Sequence, residues 1–204
     1  MTNRSPLLTL LMLISFALIA AGLTTWVWSK TADQIALNER NFQLRALNDI
    51  VPPNRYDNAL FDDSINIRNR ELLGSDETFT VYRARKSEAP VAVILTAVAP
   101  KGYSGAIRLL VGINFDGTLA GVRVSQHRET AGLGDQIEIE KSNWITMFDQ
   151  RSLLDPLPES WFVRKDGGEF DQISGATITP RAIVKAVRDA LLYFEANRDQ
   201  LFME

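Results

Sequence analysis

An uncharged apolar segment close to the N-terminus limits this chain to a small number of architectures. No residue in the range 7–28 carries a charge, and most of its side chains are aliphatic. A helix of this length crosses about 30 Å of hydrocarbon. The small residues Ala17, Ala20 and Ala21 also suit the cleavage site of a signal peptide, but the apolar run is longer than the ~7–15-residue core of such peptides. We therefore predict that residues 1–30 contain a retained, single-pass membrane anchor.

The residues on either side of this segment predict its orientation. Arg4 and the amino terminus precede it, whereas Trp26 and Trp28 stand at its far end, where indole rings favour the membrane interface. Positive charge on the short N-terminal side predicts a cytoplasmic N-terminus, although Lys30 at the other end partly offsets this charge. The rest of the chain is then expected outside the cytoplasm.

Composition excludes several kinds of site. The 204 residues include no cysteine, which excludes disulfides, thiolate zinc sites, iron–sulfur ligation and thiol nucleophiles. The one histidine, His127, cannot form a multi-histidine metal site, and no metal site is predicted. A net charge of −3 gives no reason to expect a nucleic-acid partner. Because no Gly-x-Gly-x-x-Gly motif follows a strand, NAD binding by this chain is not predicted.

A hydrolytic triad is formally possible but poorly supported. Ser174, His127 and an aspartate are the residue types that such a triad needs. However, Ser174 lies in the sequence Ile-Ser-Gly-Ala-Thr and not in a Gly-x-Ser-x-Gly turn. A polar histidine at the end of a strand is the better interpretation of His127, and no catalytic residue is predicted.

Hydrophobic periodicity predicts an α+β domain after the anchor. An apolar stripe predicts a helix over Thr31–Val51, ended by Pro52-Pro53 and followed by a polar loop or small subelement over 54–76. Asp116-Gly117 is a strong hairpin signal between two strands. The four predicted strands are Thr78–Arg85, Val91–Ala99, Ala106–Asn114 and Leu119–Gln126.

The remaining elements complete the predicted fold. A short helix is predicted over Ser142–Phe148 with Ser142 as its cap, and a short strand over Trp161–Arg164. In the final helix, Thr179 is the predicted N-cap and Pro180 the first helical residue. The predicted architecture is an antiparallel sheet with packed helices, tethered by one N-terminal transmembrane helix. Residues 31–53 are expected to form a juxtamembrane helix, and residues 54–204 the folded domain.

The segment from Asp171 to Thr177 is the most informative part of the sequence. It reads Asp-Gln-Ile-Ser-Gly-Ala-Thr, a turn of small residues with two hydroxyls directly before a helix. A glycine lets another molecule approach the backbone, and the N–H groups of a helix start favour an anion such as a phosphate. Taken alone, these residues are also typical of an ordinary helix-capping turn.

This segment resembles the flavinylation motif of covalent-FMN domains, in which an aspartate precedes Ser-Gly-Ala-Thr. Together with the single anchor, the whole chain resembles the G subunits of Rnf-type electron transport complexes. It is also similar to the longer covalent-FMN subunits, type C, of sodium-pumping NADH:quinone oxidoreductases. Pro180 departs from the family, where a serine is common, but it follows the attachment position and suits a helix start. The upstream blocks that match the family in order and spacing are Gly102–Ile107, Val111–Ile113, Asp116-Gly117 and His127–Gly134.

The resemblance implies that Thr177 carries FMN through a phosphoester, transferred from FAD by a separate flavin transferase. Asp171 is expected to serve recognition or metal binding during that transfer, or only to form an Asx turn. Leu133 is expected to cover a face of the flavin ring, whereas Tyr103 and Trp144 are either ring neighbours or ordinary core or interface residues. The expected cofactor-binding residues are Thr177, Asp171, Ser174, Gly175, Ala176, Glu129, Thr130, Gly132, Leu133, Gly134, Tyr103 and Trp144.

The function implied by this resemblance is electron transfer on FMN within an ion-coupled membrane complex that connects ferredoxin-type donors with NAD. The expected partners are the other subunits of that complex and the flavin transferase. The expected location is the bacterial inner membrane, with the main domain in the periplasm. The alternative is a membrane-anchored scaffold or sensor that binds a ligand without redox work, and a colourless protein from a host with the transferase would support it.

Overall fold

One long helix forms the N-terminal part of the structure, a computed structural model that describes residues 6–203 without the side chains at positions 33, 36, 39 and 42. This helix, α1, spans Pro6–Asn48. Its segment Pro6–Ala32 is long and apolar enough to cross a membrane. The mean hydropathy of its most apolar stretch is 2.4, and none of that stretch is buried in the described chain. The predicted juxtamembrane helix continues α1 and ends at Asn48. Arg4, on which the predicted orientation depends, lies outside the described residues.

The chain divides into two compact units, residues 1–45 and residues 46–204. The second unit is an α+β fold, as predicted, with a five-stranded antiparallel sheet whose strands lie in sequence order. The four predicted strands are confirmed, with ends shifted by two residues at most. The strands are β1 Ser64–Ile67, β2 Phe79–Lys86, β3 Ala89–Ala99, β4 Ile107–Asn114 and β5 Leu119–Gln126.

The segment predicted as a loop or small subelement contains two regular elements. The edge strand β1 pairs with β2, and the four-residue helix α2, Arg70–Leu73, follows it. Asn69 caps α2 by accepting the N–H of Leu72 at 2.9 Å. Elements of four residues are too short to show a hydrophobic period, so their order depends on tertiary pairing that the sequence does not reveal.

The C-terminal helix α3, Ile178–Phe202, packs on one face of the sheet and forms the main core with it. Its apolar residues recur at helical spacing, whereas the strand residues that meet them alternate with period two. The far end of α3 is tied to β2, because Arg83 and Arg85 donate to the carbonyls of Met203 and Phe202. Core residues on the facing elements include Ile183, Val187, Ala190, Leu191 and Phe194 of α3, Val93, Leu95 and Ala97 of β3, and Leu109, Val111 and Ile113 of β4.

The opposite face of the sheet is covered by residues at the end of α1 and just after it. Leu47, Ile50 and Val51 are buried there in a smaller cluster that also contains Ile94 of β3. Gly112 of β4 permits this approach, because a Cβ at that position would lie 2.1 Å from Cγ2 of Ile50. The antiparallel sheet is therefore buried on both faces, and not on one face only as is common for such sheets.

The short strand predicted over Trp161–Arg164 is wrong. The structure has a 3₁₀ turn over Arg164–Asp166 and a single bridge between Val163 and Phe170. Trp161 and Val163 are buried while Phe162 and Arg164 are exposed, so the alternation that suggested a strand is real. No neighbouring strand extends the pairing in the described chain, since the segment bonds to its own continuation at Glu169 and Phe170. The predicted cap Ser142 is confirmed, on a 3₁₀ helix over Asn143–Phe148.

Replacing Gly112 with alanine should destabilise the fold by about 1–3 kcal/mol, because the new methyl group overpacks the contact with Ile50. Gly121 is the matched control, since it pairs with Gly112 across β4 and β5 but its Cβ would meet nothing closer than 3.6 Å. Urea unfolding of the detergent-solubilised full chain measures both. We expect Gly121→Ala to change the free energy of unfolding by less than about 1 kcal/mol. Equal losses in the two variants would contradict this account of Gly112.

Candidate functional site

Three loops meet at the start of α3, and the side chain of Glu129 joins them. The first loop connects β3 with β4, the second follows β5, and the third leads into α3. The carboxylate of Glu129 accepts the N–H of Ser104 at 2.9 Å and the N–H of Tyr103 at 3.3 Å. It also accepts the hydroxyl of Thr179, in the first turn of α3. Glu129 is only 7% exposed, so these contacts lie beneath the surface of the site.

The second loop is a tight turn that exposes one glycine and one leucine. The carbonyl of Thr130 accepts the N–H groups of Leu133 at 3.2 Å and Gly134 at 2.9 Å. Gly132 has a φ of 77°, a conformation that favours glycine, whereas Gly134 is buried where a Cβ would lie 2.8 Å from Cβ of Glu129. Leu133 remains 44% exposed at the tip of the turn.

The third loop carries the Ser-Gly-Ala-Thr run and touches the second loop. The N–H of Ala176 donates to the carbonyl of Ile173 at 3.1 Å, and Gly175 turns the chain with a φ of 81°. A Cβ at Gly175 would lie 3.1 Å from Cδ2 of Leu133. The predicted residues of these two motifs are therefore brought together, as their shared place in the expected site requires.

Thr177 and Thr179 have different environments although they are two residues apart. Thr177 is the N-cap of α3 and half-buried, and its hydroxyl makes no hydrogen bond within the described part of the chain. Thr179 is completely buried and donates its hydroxyl to Glu129. The prediction that Thr179 caps the helix is wrong, because α3 begins at Ile178 and Pro180 is its third residue. The third N–H of a helix has no intrahelical partner, so proline is tolerated there.

The first residue of the motif, Asp171, is fixed by two contacts. Its carboxylate pairs with Arg164 at 2.9 Å on the surface, and its carbonyl accepts the indole N–H of Trp144 at 2.7 Å. Trp144 packs edge-on against Phe148, with ring centroids 5.6 Å apart. Trp144 thus supports the start of the third loop. Tyr103, in the first loop, is 68% exposed.

A neighbouring ion pair holds the 3₁₀ turn Arg164–Asp166 against α3. Arg181 donates two hydrogen bonds of 2.5 Å to the carboxylate of Asp166. These hydrogen bonds hold the pKa of Asp166 below its usual range and raise the pKa of Arg181. Both groups are solvent-exposed, so the pair orients the turn and adds little to the stability of the fold.

His127 supports the second loop and does not form a triad. Its Nδ1 accepts the N–H of Glu129 at 3.0 Å, and its Nε2 lies 2.6 Å from Oε1 of Glu138. Ser174 is exposed and makes no hydrogen bond within residues 6–203. In the same range, no group of three or more His, Cys, Asp or Glu side chains is placed to hold a metal ion.

Sequence reasoning missed the residues that support the site from below. Glu129 was predicted, but its partners Ser104 and Thr179 and the His127–Glu138 pair were not. The signal was present only in part, as a threonine at an apolar helix start and a histidine two residues before the glutamate. The contacts of Glu129 cross 25 and 50 residues of sequence, so they depend on the fold and not on a local motif.

The arrangement suits a phosphate-bearing aromatic cofactor. A helix start offers N–H groups without intrahelical acceptors and a positive dipole end, which favour an anion. The hydroxyl of Thr177, which makes no hydrogen bond within residues 6–203, lies at this helix start two residues after the exposed Gly175. The first and second loops and the helix start also expose apolar side chains that could cover a ring, namely Tyr103, Leu133 and Ile178.

Comparison with known proteins finds relatives that match nearly the whole chain. A family model for the FMN-binding domain matches residues 102–192, and a model for the RnfG N-terminal region matches residues 11–50.

The G subunit of the ion-translocating oxidoreductase complex of Pseudomonas aeruginosa UCBPP-PA14 is 50% identical over 200 residues, which cover 98% of this chain and 94% of that protein. The corresponding subunit of Pseudoalteromonas atlantica is 43% identical over 192 residues, 94% of this chain and 89% of its own length. The counterpart in Shewanella baltica is 43% identical over 191 residues, 94% and 90% of the two chains. This chain therefore belongs to the family of G subunits of ion-translocating oxidoreductase complexes, and it contains that family's FMN-binding domain.

Proposed function

We infer that this chain is an electron-transfer subunit that carries FMN covalently on Thr177, as part of a membrane complex that couples electron flow between ferredoxin-type donors and NAD to ion movement. The observation that supports this most directly is the contrast between the two threonines. Thr177 presents a hydroxyl without a partner in the described chain at the helix start, whereas the hydroxyl of Thr179 is buried and already donated to Glu129. Electron flow and coupling follow from membership of the family alone.

The covalent step that we infer is a phosphoryl transfer from FAD. The hydroxyl oxygen of Thr177 forms a bond to the phosphorus on the flavin side of FAD, the phosphoanhydride bond breaks, and AMP leaves. The hydroxyl proton passes to a base of the flavin transferase or to water, because a threonine hydroxyl is a poor nucleophile without activation. The flavin supplies one- and two-electron chemistry once bound.

Each group of site residues has a separate task in this proposal. Thr177 holds the phosphate, and Ser174, Gly175 and Ala176 form the turn that leaves it accessible. Asp171, fixed by Arg164 and Trp144, marks the start of the segment that the transferase recognises. The cofactor-covering loops contribute Tyr103, Glu129, Thr130, Gly132, Leu133 and Gly134.

The proposed organisation places the cofactor outside the cytoplasm. The N-terminus is cytoplasmic, residues up to 30 contain the anchor, residues 31–53 are juxtamembrane, and residues 54–204 form the FMN-binding domain in the periplasm. A transferase acting on the outer face of the inner membrane can reach Thr177 only in this orientation. The other subunits of the complex are the redox partners on either side of the flavin.

Replacing Thr177 with alanine should abolish the covalent flavin and leave the fold intact, because the lost hydroxyl has no hydrogen bond within the described chain. Thr179→Ser is the matched control, because it changes a neighbouring threonine but keeps the hydroxyl that is donated to Glu129, and it should retain the adduct. Intact-mass analysis and visible absorbance of the full-length variants from a host with the transferase give the answer. A flavin adduct on Thr177→Ala would disprove attachment at Thr177.

The side of the membrane can be tested with export signals. A chain lacking residues 1–28 and given no export signal should reach the cytoplasm and stay free of covalent FMN, because it never meets a transferase confined outside. Restoring an export signal should restore the yellow adduct, and a reporter fused to Glu204 should be active only if it works outside the cytoplasm. If the cytoplasmic chain became fully flavinylated in such a host, both the orientation and the route of modification would be wrong.

A further inference from the structure

The carboxylate of Glu129 is buried and satisfied by neutral donors alone. Two of these donors are the adjacent backbone N–H groups of Tyr103 and Ser104, and the third is the hydroxyl of Thr179. Among residues 46–203, no basic side chain lies within ion-pairing distance of this carboxylate. Hydrogen bonds to a charged acceptor are about twice as strong as neutral ones, so three of them can fix loops that would otherwise move.

A carboxylate is the side chain that these donors require. Both oxygens are used, Oε1 by Ser104 and Oε2 by Tyr103 and Thr179. An amide in its place would turn one of the two oxygens into a donor and oppose it to at least one N–H group. The N–H groups of Tyr103 and Ser104 have no backbone acceptor in the described chain, so they depend on this carboxylate.

Glu129 is itself held on both sides. Its N–H donates to Nδ1 of His127, whose other nitrogen contacts Glu138. Gly134 also packs directly on the glutamate side chain, where even a methyl group would not fit. The position of the carboxylate is therefore set by the second loop, and the first loop and the start of α3 adopt their places relative to it.

We propose that Glu129 is the positioning residue for the flavin, because it holds the Tyr103–Ser104 loop, the Leu133 turn and the first turn of α3 next to Thr177 as one rigid unit. This inference rests on the proposed function, in which Thr177 carries the cofactor. Glu129 acts through Thr179 and the two loops and needs no contact with the flavin. Glu129 immobilises the flavin ring and fixes the protein environment that sets the redox potential of the flavin.

Four full-length variants, purified in detergent after flavinylation, test this role. Glu129→Gln removes an acceptor, Thr179→Val removes the hydroxyl at nearly constant volume, and Thr179→Ser restores the hydroxyl. Gly112→Ala is the control for general loss of stability, since it acts on the opposite face of the sheet. The readouts are intact mass, flavin fluorescence anisotropy, and the flavin midpoint potential by spectroelectrochemistry.

We expect Glu129→Gln and Thr179→Val to keep the adduct at Thr177 but to show lower flavin anisotropy and a potential shifted toward that of free FMN. Thr179→Ser and Gly112→Ala should match the flavinylated wild-type chain in both flavin anisotropy and midpoint potential. Wild-type anisotropy and potential in the first two variants would overturn the proposal. The same shift in Gly112→Ala would also overturn it, because the effect would then be one of stability. If Glu129→Gln does not fold, Thr179→Val alone decides.

Hydrogen exchange provides a readout that does not need the cofactor. In flavin-free Thr177→Ala, adding Glu129→Gln should speed exchange at the amides of Tyr103 and Ser104 by about tenfold or more, the effect of losing one charge-assisted hydrogen bond. Unchanged exchange would mean that the carboxylate does not hold the loop, and would overturn the proposal. A wild-type chain without flavin at Thr177 would instead refute the proposed function, and the exchange result would still stand on its own.

Discussion

The burial of one face of α3 against the sheet determines where the chain presents the hydroxyl of Thr177. Residues at helical spacing from Ile183 to Phe194 enter the main core, and the far end of the helix is tied to β2 by Arg83 and Arg85. The helix start therefore has a fixed place relative to the sheet. Thr177 precedes the first residue of α3 and inherits that place without needing side-chain hydrogen bonds of its own.

The packing of α3 on the sheet also explains why Thr177 and Thr179 have different environments. A residue in the first turn of a packed helix is turned either toward the core or toward solvent. Thr179 is turned inward, where a buried hydroxyl must find an acceptor, and it finds Glu129. Thr177, half-buried at the N-cap, makes no hydrogen bond through its hydroxyl in the described chain.

The sequence predicted the elements whose pattern is local and long. Four strands, the Asp116-Gly117 hairpin and the final helix follow from periodicity and turn residues, and the motif at Asp171–Thr177 marked the site through family resemblance. The sequence did not reveal the edge strand β1 or the helix α2, and it wrongly predicted a strand where a 3₁₀ turn follows Trp161. Each of these elements has only three or four residues, so its structure depends on tertiary contacts and not on a local pattern. The cap assignment failed for a related reason: Thr179 has the residue type of an N-cap, but its role is set by Glu129, 50 residues away.

A phosphate tether at a helix start reconciles two requirements of the proposed electron carrier. The cofactor must not diffuse away, yet its ring must keep its chemistry and remain within reach of redox partners. An ester at Thr177 uses only the phosphate end and leaves the ring unmodified. The side chains available to cover a ring, Tyr103 and Leu133, are themselves largely exposed, so a flavin placed among them stays close to the surface. Rigidity must then come from beneath the ring, and the buried hydrogen bonds of Glu129 are the part of the described site that can provide it, because they join the covering loops to the helix that holds the tether.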